Sequence, residues 1–391
     1  MLDSNLLSLS YGRIVAKDIN TNDGLLPESF ETYQIVEPGD IVFRFTDLQN
    51  DTKSLRSGLV EERGIITSAY LAFSPKYIHS RFLAYLMRSY DSNKVFYGMG
   101  GGLRQSLKYD DIRRLPILTP PAPEQVAIAD FLDRETGKID ALTTRYSQLK
   151  DRLEDRRSAF IDALIRRGPA AGGAQTDSGV PWIGAIPSHW TVPRIRDLGN
   201  ARMGLTYAPE DLTDPTDGTL VLRAGNIQDG RIDYTDCVYV KSVVPPELFL
   251  RDGDLLICSR NGSPRLIGKN ALIDGSQGRE TWGAFMTVLR SEFNHYLQHV
   301  LNSSIFTQQI GMFSTSTINQ LTNGTLLNMK VPLPPADERG QIGVAIEEHS
   351  GALDLVIAAV RESIRLLSER RSALITAAVT GELDVGTGRA T

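Results

Sequence analysis

Residues 120–168 read PPAPEQVAIADFLDRETGKIDALTTRYSQLKDRLEDRRSAFIDALIRRG, and residues 334–382 read PPADERGQIGVAIEEHSGALDLVIAAVRESIRLLSERRSALITAAVTGE. Pro120, Pro121, Glu124, Ile128, Asp140 and the run Arg156-Arg157-Ser158-Ala159 return as Pro334, Pro335, Glu338, Ile342, Asp354 and Arg370-Arg371-Ser372-Ala373, always 214 residues on. One fixed offset over the whole stretch marks a duplicated unit, and this period is far too long for a solenoid. The chain therefore reads as two copies of a large half, each ending in the same helical module.

The module carries a seven-residue pattern. Ile139, Leu142, Tyr146, Leu149, Leu153, Phe160 and Ala163 advance by threes and fours, with Arg156 in the one polar slot. Leu353, Val356, Val360, Leu367, Leu374 and Ala377 keep the same register, with Arg370 in that slot. Two such stripes cannot both face water, and an apolar seam over four heptads points to a coiled coil. Since both stripes lie in one chain, each is expected to pair with the other. About 28 helical residues at 1.5 Å each make a rod of roughly 40 Å. Pro123 suits a helix start, a first helix is expected over 124–132, Gly137 permits a bend, and Gly168-Pro169 closes the long helix.

Outward from the modules, residues 1–118 alternate short strand-like runs with turns. Tyr33-Gln34-Ile35-Val36 leads through Pro38-Gly39 into Ile41-Val42-Phe43, the run 65–73 reads as strand, 79–90 has helical spacing, and Leu115-Pro116-Ile117-Leu118 reads as an edge strand. Residues 170–179 form a small-residue linker. The second half repeats the first in outline: Gly253-Asp254 answers Gly39-Asp40, and Ala284-Phe285 answers Ala69-Tyr70. The expected fold is mixed α/β, with a globular domain over 1–118, a helical spacer over 119–168, a linker over 169–180, a second domain over 181–333 and a second spacer over 334–385. The first half has no counterpart of 181–220, so the chain is expected to start late relative to a full repeat.

The bulk numbers bound the function. A length of 391 residues implies two or three domains. A net charge of −5 means that any basic face must be local. Cys237 and Cys258 sit in apolar runs without metal-ligand spacing and are expected to be reduced and buried. No apolar run is long enough for a membrane span and no signal-peptide layout is present, so the expected location is cytoplasmic. Among the five histidines only His295 and His299 share a helical face, with no neighbouring Glu and no third ligand. Gly98-Met99-Gly100-Gly101-Gly102 lacks the Lys-Ser/Thr of a phosphate-binding loop. No cofactor cradle, metal set or catalytic constellation is found, which argues for a binding protein.

What remains suits DNA. Arg44, Asp47, Gln49, Asn50, Lys53, Arg56 and Arg63 follow the Gly39-Asp40 turn, and Arg104-Gln105 follows the glycine run. The matching places of the second half hold Arg260, Asn261, Arg265, Lys269, Asn319 and Gln320. Arginine pairs with guanine and Asn or Gln with adenine through two hydrogen bonds each, so these loops hold the residue types that base reading needs. The alternatives are a stand-alone DNA-modifying enzyme and a coiled-coil scaffold without a nucleic-acid role.

Four places together resemble the specificity subunits of Type I restriction–modification systems. They are Pro181-Trp182-Ile183-Gly184 with Ile186-Pro187-Ser188-His189-Trp190; residues 5–12 through 64–70; Leu115-Pro116 through Pro120-Pro121 with Glu124-Gln125 and Phe131-Leu132-Asp133; and Arg370-Arg371-Ser372-Ala373-Leu374. Arg339 departs from the first copy's Gln125. The resemblance implies two target-recognition domains, each reading one half of a bipartite site on double-stranded DNA, held apart by two antiparallel helices. It further implies two docked modification subunits that supply the cofactor and methylate adenine, restriction subunits that join through the complex, and no catalysis by this chain.

Overall fold

The computed structural model describes residues 5–18, 30, 32–48, 55–99, 106–169, 172–276, 279–313 and 320–390. Contacts divide the chain into two compact units, Met1–Leu149 with Ala359–Thr391, and Lys150–Ala358.

The first unit holds strands β1 (Leu6–Ser10), β2 (Arg13–Lys17), β3 (Gln34–Val36), β4 (Ile41–Phe43), β5 (Ser57–Leu59), β6 (Gly64–Ile66) and β7 (Leu71–Phe73), then helices α1 (Ser80–Ser92) and α2 (Tyr109–Ile112). Helix α3 (Ala122–Arg167) begins in this unit and ends in the other. The strands form two sheets, ordered β2-β1-β6-β3 and β5-β4-β7. The run 65–73 is thus two strands in different sheets, joined by a turn at residues 67–70. Residues 115–118 are not a strand.

The second unit holds β8 (Gln175–Asp177), β9 (Ala185–Pro187), β10 (Asn200–Met203), β11 (Leu212–Thr213), β12 (Thr219–Leu222), β13 (Ile227–Gln228), β14 (Arg231–Ile232), β15 (Val238–Val240), β16 (Leu255–Cys258), β17 (Asn270–Leu272), β18 (Glu280–Trp282) and β19 (Met286–Arg290). Helices α4 (Asn294–Leu301), α5 (Ser304–Phe313) and α6 (Asn323–Asn328) follow, and α7 (Ala336–Thr380) begins here. Its larger sheets are ordered β10-β19-β16-β17 and β11-β15-β12-β18. After α7 come β20 (Leu383–Asp384) and β21 (Arg389–Ala390), which pair with each other.

The duplication is visible in the pairing. β1 runs parallel to β6 (Leu6↔Ile65), and β12 runs parallel to β18 (Leu220↔Glu280). The central strands β4 and β16 are buried at every position, as uninterrupted apolar runs require. Each ends opposite the first residue of an antiparallel partner strand, Phe43↔Leu71 and Cys258↔Met286. Even the Gln125-to-Arg339 departure keeps one job: Gln125 Nε2 donates to Pro120 O (2.7 Å) and Arg339 Nη1 to Pro334 O (2.8 Å). Gln125 also accepts from the His79 backbone ahead of α1, and Arg339 covers the Phe293 ring ahead of α4.

Both long helices contribute to both cores. In the first unit Ile128 and Leu132 of α3 join Ile375, Ala378 and Val379 of α7 around Phe43, Phe82 and Leu86. In the second, Ile161, Leu164 and Ile165 of α3 join Ile342 and Ile346 of α7 around Trp190, Tyr296 and Leu297. Helix α3 passes through Gly137 without a break, contrary to the expected bend. A lone helical glycine costs about 1 kcal/mol, and burial of Leu132, Thr136 and Ile139 on either side of it outweighs that.

Burial along the two long helices follows the expected seven-residue pattern at every other position. Ile139, Tyr146, Leu153 and Phe160, and Leu353, Val360, Leu367 and Leu374, are buried or half-buried. The alternate positions lie one residue later than expected. Leu142, Leu149 and Val356 are exposed, as are Arg156 and Arg370, while Thr143, Lys150, Arg157 and Leu164, and Ile357, Ile364, Arg371 and Ala378, turn inward. In α3 three of those inward positions are polar, so a search for apolar letters slides onto the neighbouring leucines. Lys150 and Arg157 are half-buried, which their long aliphatic stems allow.

The half-buried arginines pair reciprocally between the copies. In the first unit Arg371 Nε donates to Asp140 Oδ1 (2.9 Å), and in the second Arg157 Nη1 lies 3.4 Å from Asp354 Oδ1. Asp140 and Asp354 are repeat equivalents, and so are Arg157 and Arg371. Each contact therefore joins the aspartate of one copy to the arginine of the other.

Candidate nucleic-acid interface

In the second unit four of the candidate residues, Arg260, Asn261, Arg265 and Lys269, lie on one loop between β16 and β17. Strand β16 is buried through Cys258, Ser259 is buried, and Arg260 is the first residue to emerge. The loop is pinned by backbone bonds, Gly268 N to Cys258 O and Cys258 N to Lys269 O, both 2.8 Å. Gly268 has φ +85°, and a Cβ there would meet the Phe306 ring at 2.5 Å, so this position requires glycine. Asn261 Oδ1 accepts from Ser263 N (3.0 Å), which shapes the tip. Arg260 and Arg265 are exposed, and Asn261 and Lys269 are half-exposed. Gln320 is exposed and bridges Arg260 across the ladder, where Leu321 N donates to Ser259 O (2.8 Å). Arg260, Asn261, Arg265, Lys269 and Gln320 are thus brought to one end of the β16 sheet. Asn319 lies outside the described residues.

Sequence reasoning passed over Phe285 as an interface residue. It sits on the β18–β19 turn with 62 % of its surface exposed, and the Arg260 guanidinium lies 5.6 Å from its ring centre. The turn itself is rigid. The Phe285 carbonyl accepts from Ser259 N and Arg260 N (both 3.0 Å) and from Ser259 Oγ (2.9 Å). The signal in the sequence was a large apolar residue directly after Gly283-Ala284, a turn pair.

The first unit presents the matching loop between β4 and β5. Arg44 is half-buried at its start, with its backbone N bonded to Arg56 O (2.9 Å), and Asp47 adopts φ +56°. Gln49, Asn50, Lys53, Arg104 and Gln105 lie outside the described residues. Arg56 is a correction: it is fully buried and cannot reach a ligand. Its guanidinium donates to Thr46 O (3.0 Å), Asp47 O (3.4 Å) and Tyr97 OH (3.3 Å), and its backbone N donates to Asp91 Oδ2. Burial pushes the Asp91 carboxyl up, against the pull of the Arg56 amide and the Arg88 guanidinium. Arg63 does not belong to the cluster either. β4 and β5 pair antiparallel, so Arg44 and Arg56 mark one end while Arg63, ion-paired with Glu37, lies past the other.

Burial lowers His299 to about 4, with His295 and Arg157 adding to the effect, while His295 is exposed. Among the described residues no group of three His, Cys, Asp or Glu side chains could hold a metal ion. Cys258 is buried as expected, whereas Cys237 is only half-buried, its Sγ 3.2 Å from Tyr234 O. Among the described residues no helix is long and apolar enough to cross a membrane.

No family model matches the chain. It is similar to the Type I restriction enzyme EcoKI specificity subunit of Escherichia coli (strain K12), 28 % identical over 207 residues, which are 51 % of this chain and 44 % of that protein. It is also similar to the StySPI specificity subunit of Salmonella potsdam, 27 % identical over 207 residues, with the same coverage of 51 % and 44 %. The match thus spans less than half the length of the curated relatives. In fold the chain resembles a solved structure from work on the complex assembly and conformational transition of the type I R-M system, with a TM-score of 0.62 and 17 % identity over 91 % of this chain and 85 % of that one.

Proposed function

We propose that this chain is the DNA-specificity subunit of a Type I restriction–modification complex. Residues 1–118 and 181–333 are two target-recognition domains, each reading one half of a bipartite site on double-stranded DNA. The helical spacers 119–168 and 334–385 pair as an antiparallel coiled coil that fixes the distance between the half-sites, and they dock two modification subunits. Those subunits methylate adenine, and restriction subunits complete the complex. This chain supplies sequence selection and no catalysis.

One observation carries the reading. In both copies a loop leaves the same end of a buried central strand, and in the second that sheet end gathers Arg260, Asn261, Arg265, Lys269 and Gln320, donors suited to phosphates and base edges. The similarity to named specificity subunits agrees with it.

The test uses the chain assembled with its modification subunits. Mapping methylated adenines in host DNA defines the site, and residues 181–333 are then exchanged for those of a relative. The expected result is a change in one half-site with the other and the spacer kept. Changes in both halves, or binding to duplex DNA with no sequence preference, would overturn the proposal.

A further inference from the structure

We infer that Phe285 and Arg260 act as one reading pair for a thymine next to a guanine, Phe285 packing on the thymine 5-methyl group while Arg260 pairs with the guanine edge. The inference rests on the proposed role of the second unit as a DNA reader and specifies what part of it reads.

Phe285 is a large apolar side chain held out in solvent on a turn fixed by several backbone hydrogen bonds. Three hydrogen bonds converge on its carbonyl, Ala284 N donates to Leu205 O (2.9 Å), and Met286 N donates to Gly283 O (2.9 Å). A ring kept 62 % exposed on so rigid a support is presented rather than tolerated. Its surroundings select the partner. Arg260, Asn261, Arg265 and Gln320 stand at the same sheet end, so the ring is presented among hydrogen-bonding groups, with Met203 of the adjacent strand a second exposed apolar side chain beside it. That pattern matches a major groove, where acceptors and donors alternate with the methyl of thymine. An apolar protein surface would call for apolar neighbours instead.

The guanidinium also decides how the ring is used. Arg260 lies over the ring at 5.6 Å, so one face is already covered. A wedge inserted between base pairs needs both faces, whereas contact with a methyl needs only one. Adjacent base pairs are about 3.4 Å apart along the axis, so a guanidinium and a ring 5.6 Å apart are close enough to meet neighbouring base edges. The duplicated turn also carries an aromatic residue, Tyr70, but it is half-buried against the Leu7, Val36 and Val42 core, and the position matching Arg260 is the buried Phe45, so the pair belongs to the second copy alone.

The experiment uses the full chain with its modification subunits and fluorescent duplexes carrying the mapped site. Each thymine of the half-site read by residues 181–333 is replaced in turn by deoxyuridine, which deletes only the methyl. One position is expected to weaken wild-type binding about three- to tenfold, the scale of one buried methyl-sized group. Phe285→Ala should lose a similar factor on the thymine duplex and be indifferent to uracil there. Phe285→Leu, which keeps an apolar contact, should retain the discrimination, and Arg260→Ala should relax selection of the neighbouring guanine. Thermal unfolding of the Phe285 variants should match wild type. Wild-type-like binding by Phe285→Ala, or an unchanged uracil penalty in that variant, overturns the inference and leaves the specificity role standing. Loss of the modification subunits from Phe285→Ala would make the ring a protein contact and also overturn it. A wild-type complex that does not prefer the mapped site over a scrambled duplex would remove the specificity role itself.

Discussion

The phase of the helix seam can be tested with two neighbouring residues of the second unit. Ile357 is 4 % exposed and Val356 47 % exposed. Ile357→Ala deletes about three methylene equivalents from a packed site, at about 0.8 kcal/mol each, and leaves a cavity, for a loss of roughly 3 kcal/mol. Val356→Ala removes two half-solvated methyls, and the better helix propensity of alanine offsets most of that, so the net change is within about 0.5 kcal/mol. For a unit of this size 1 kcal/mol moves the midpoint by roughly 2–4 °C, so the two variants should differ by roughly 6–12 °C. Far-ultraviolet circular dichroism during heating measures this, and hydrogen exchange in α7 locates it. Equal losses in the two variants, or a greater loss from Val356→Ala, would refute the assigned phase.

Three further outcomes follow from buried polar groups. Asp254→Ala strands the Arg290 guanidinium, which now donates to Asp254 Oδ1 (3.0 Å) and Oδ2 (3.1 Å), to Glu247 O (3.0 Å) and to Phe249 O (2.6 Å). It should cost about 3–5 kcal/mol in urea unfolding, and adding Arg290→Met should recover part of that; a single-variant loss below about 1 kcal/mol counts against the network. Arg56→Ala should lower stability by about 3 kcal/mol, because it leaves buried carbonyls without donors, whereas Arg260→Ala should weaken DNA binding with no thermal shift; the opposite assignment of effects would show the loop to be misread. His299 is held neutral in the fold with its value lowered to about 4, against about 6.5 when unfolded. The unfolded chain then binds the extra proton first, so stability present above pH 6.5 is lost progressively towards pH 4, by about 3 kcal/mol in all. His299→Phe should flatten the urea midpoint over that range, and an unchanged slope would exclude His299 as its source.

Much of the fold was legible because duplication is a statement about order, which survives substitution. The proline pairs, the Gly-Asp turns and the long helices all stand where the repeat puts them. The seam phase was harder to see, since Lys150 and Arg157 are half-buried but read as polar letters. The second copy held the answer: Ile357 and Ile364 are apolar at the inward positions, and counting them without imposing the register of the first copy would have found them. Arg56 misled for the reverse reason. Its charge suggested a surface, yet three acceptors around its guanidinium make burial tolerable. Phe285 was missed because a sequence does not say which way a turn points its side chain.

Glu338 stands at the start of α7, and its carboxylate takes hydrogen bonds from the Trp190 indole (2.9 Å) and the His189 imidazole (2.5 Å). Burial would raise this carboxyl, but those two bonds outweigh it and hold it below the usual range. Any graft of residues 181–333 carries both donors away and leaves the acceptor behind. If the second unit reads DNA as proposed, its loops can be exchanged without touching this joint, but an incoming segment must bring its own indole and imidazole to it, and one that lacks them should lose stability before it loses base preference.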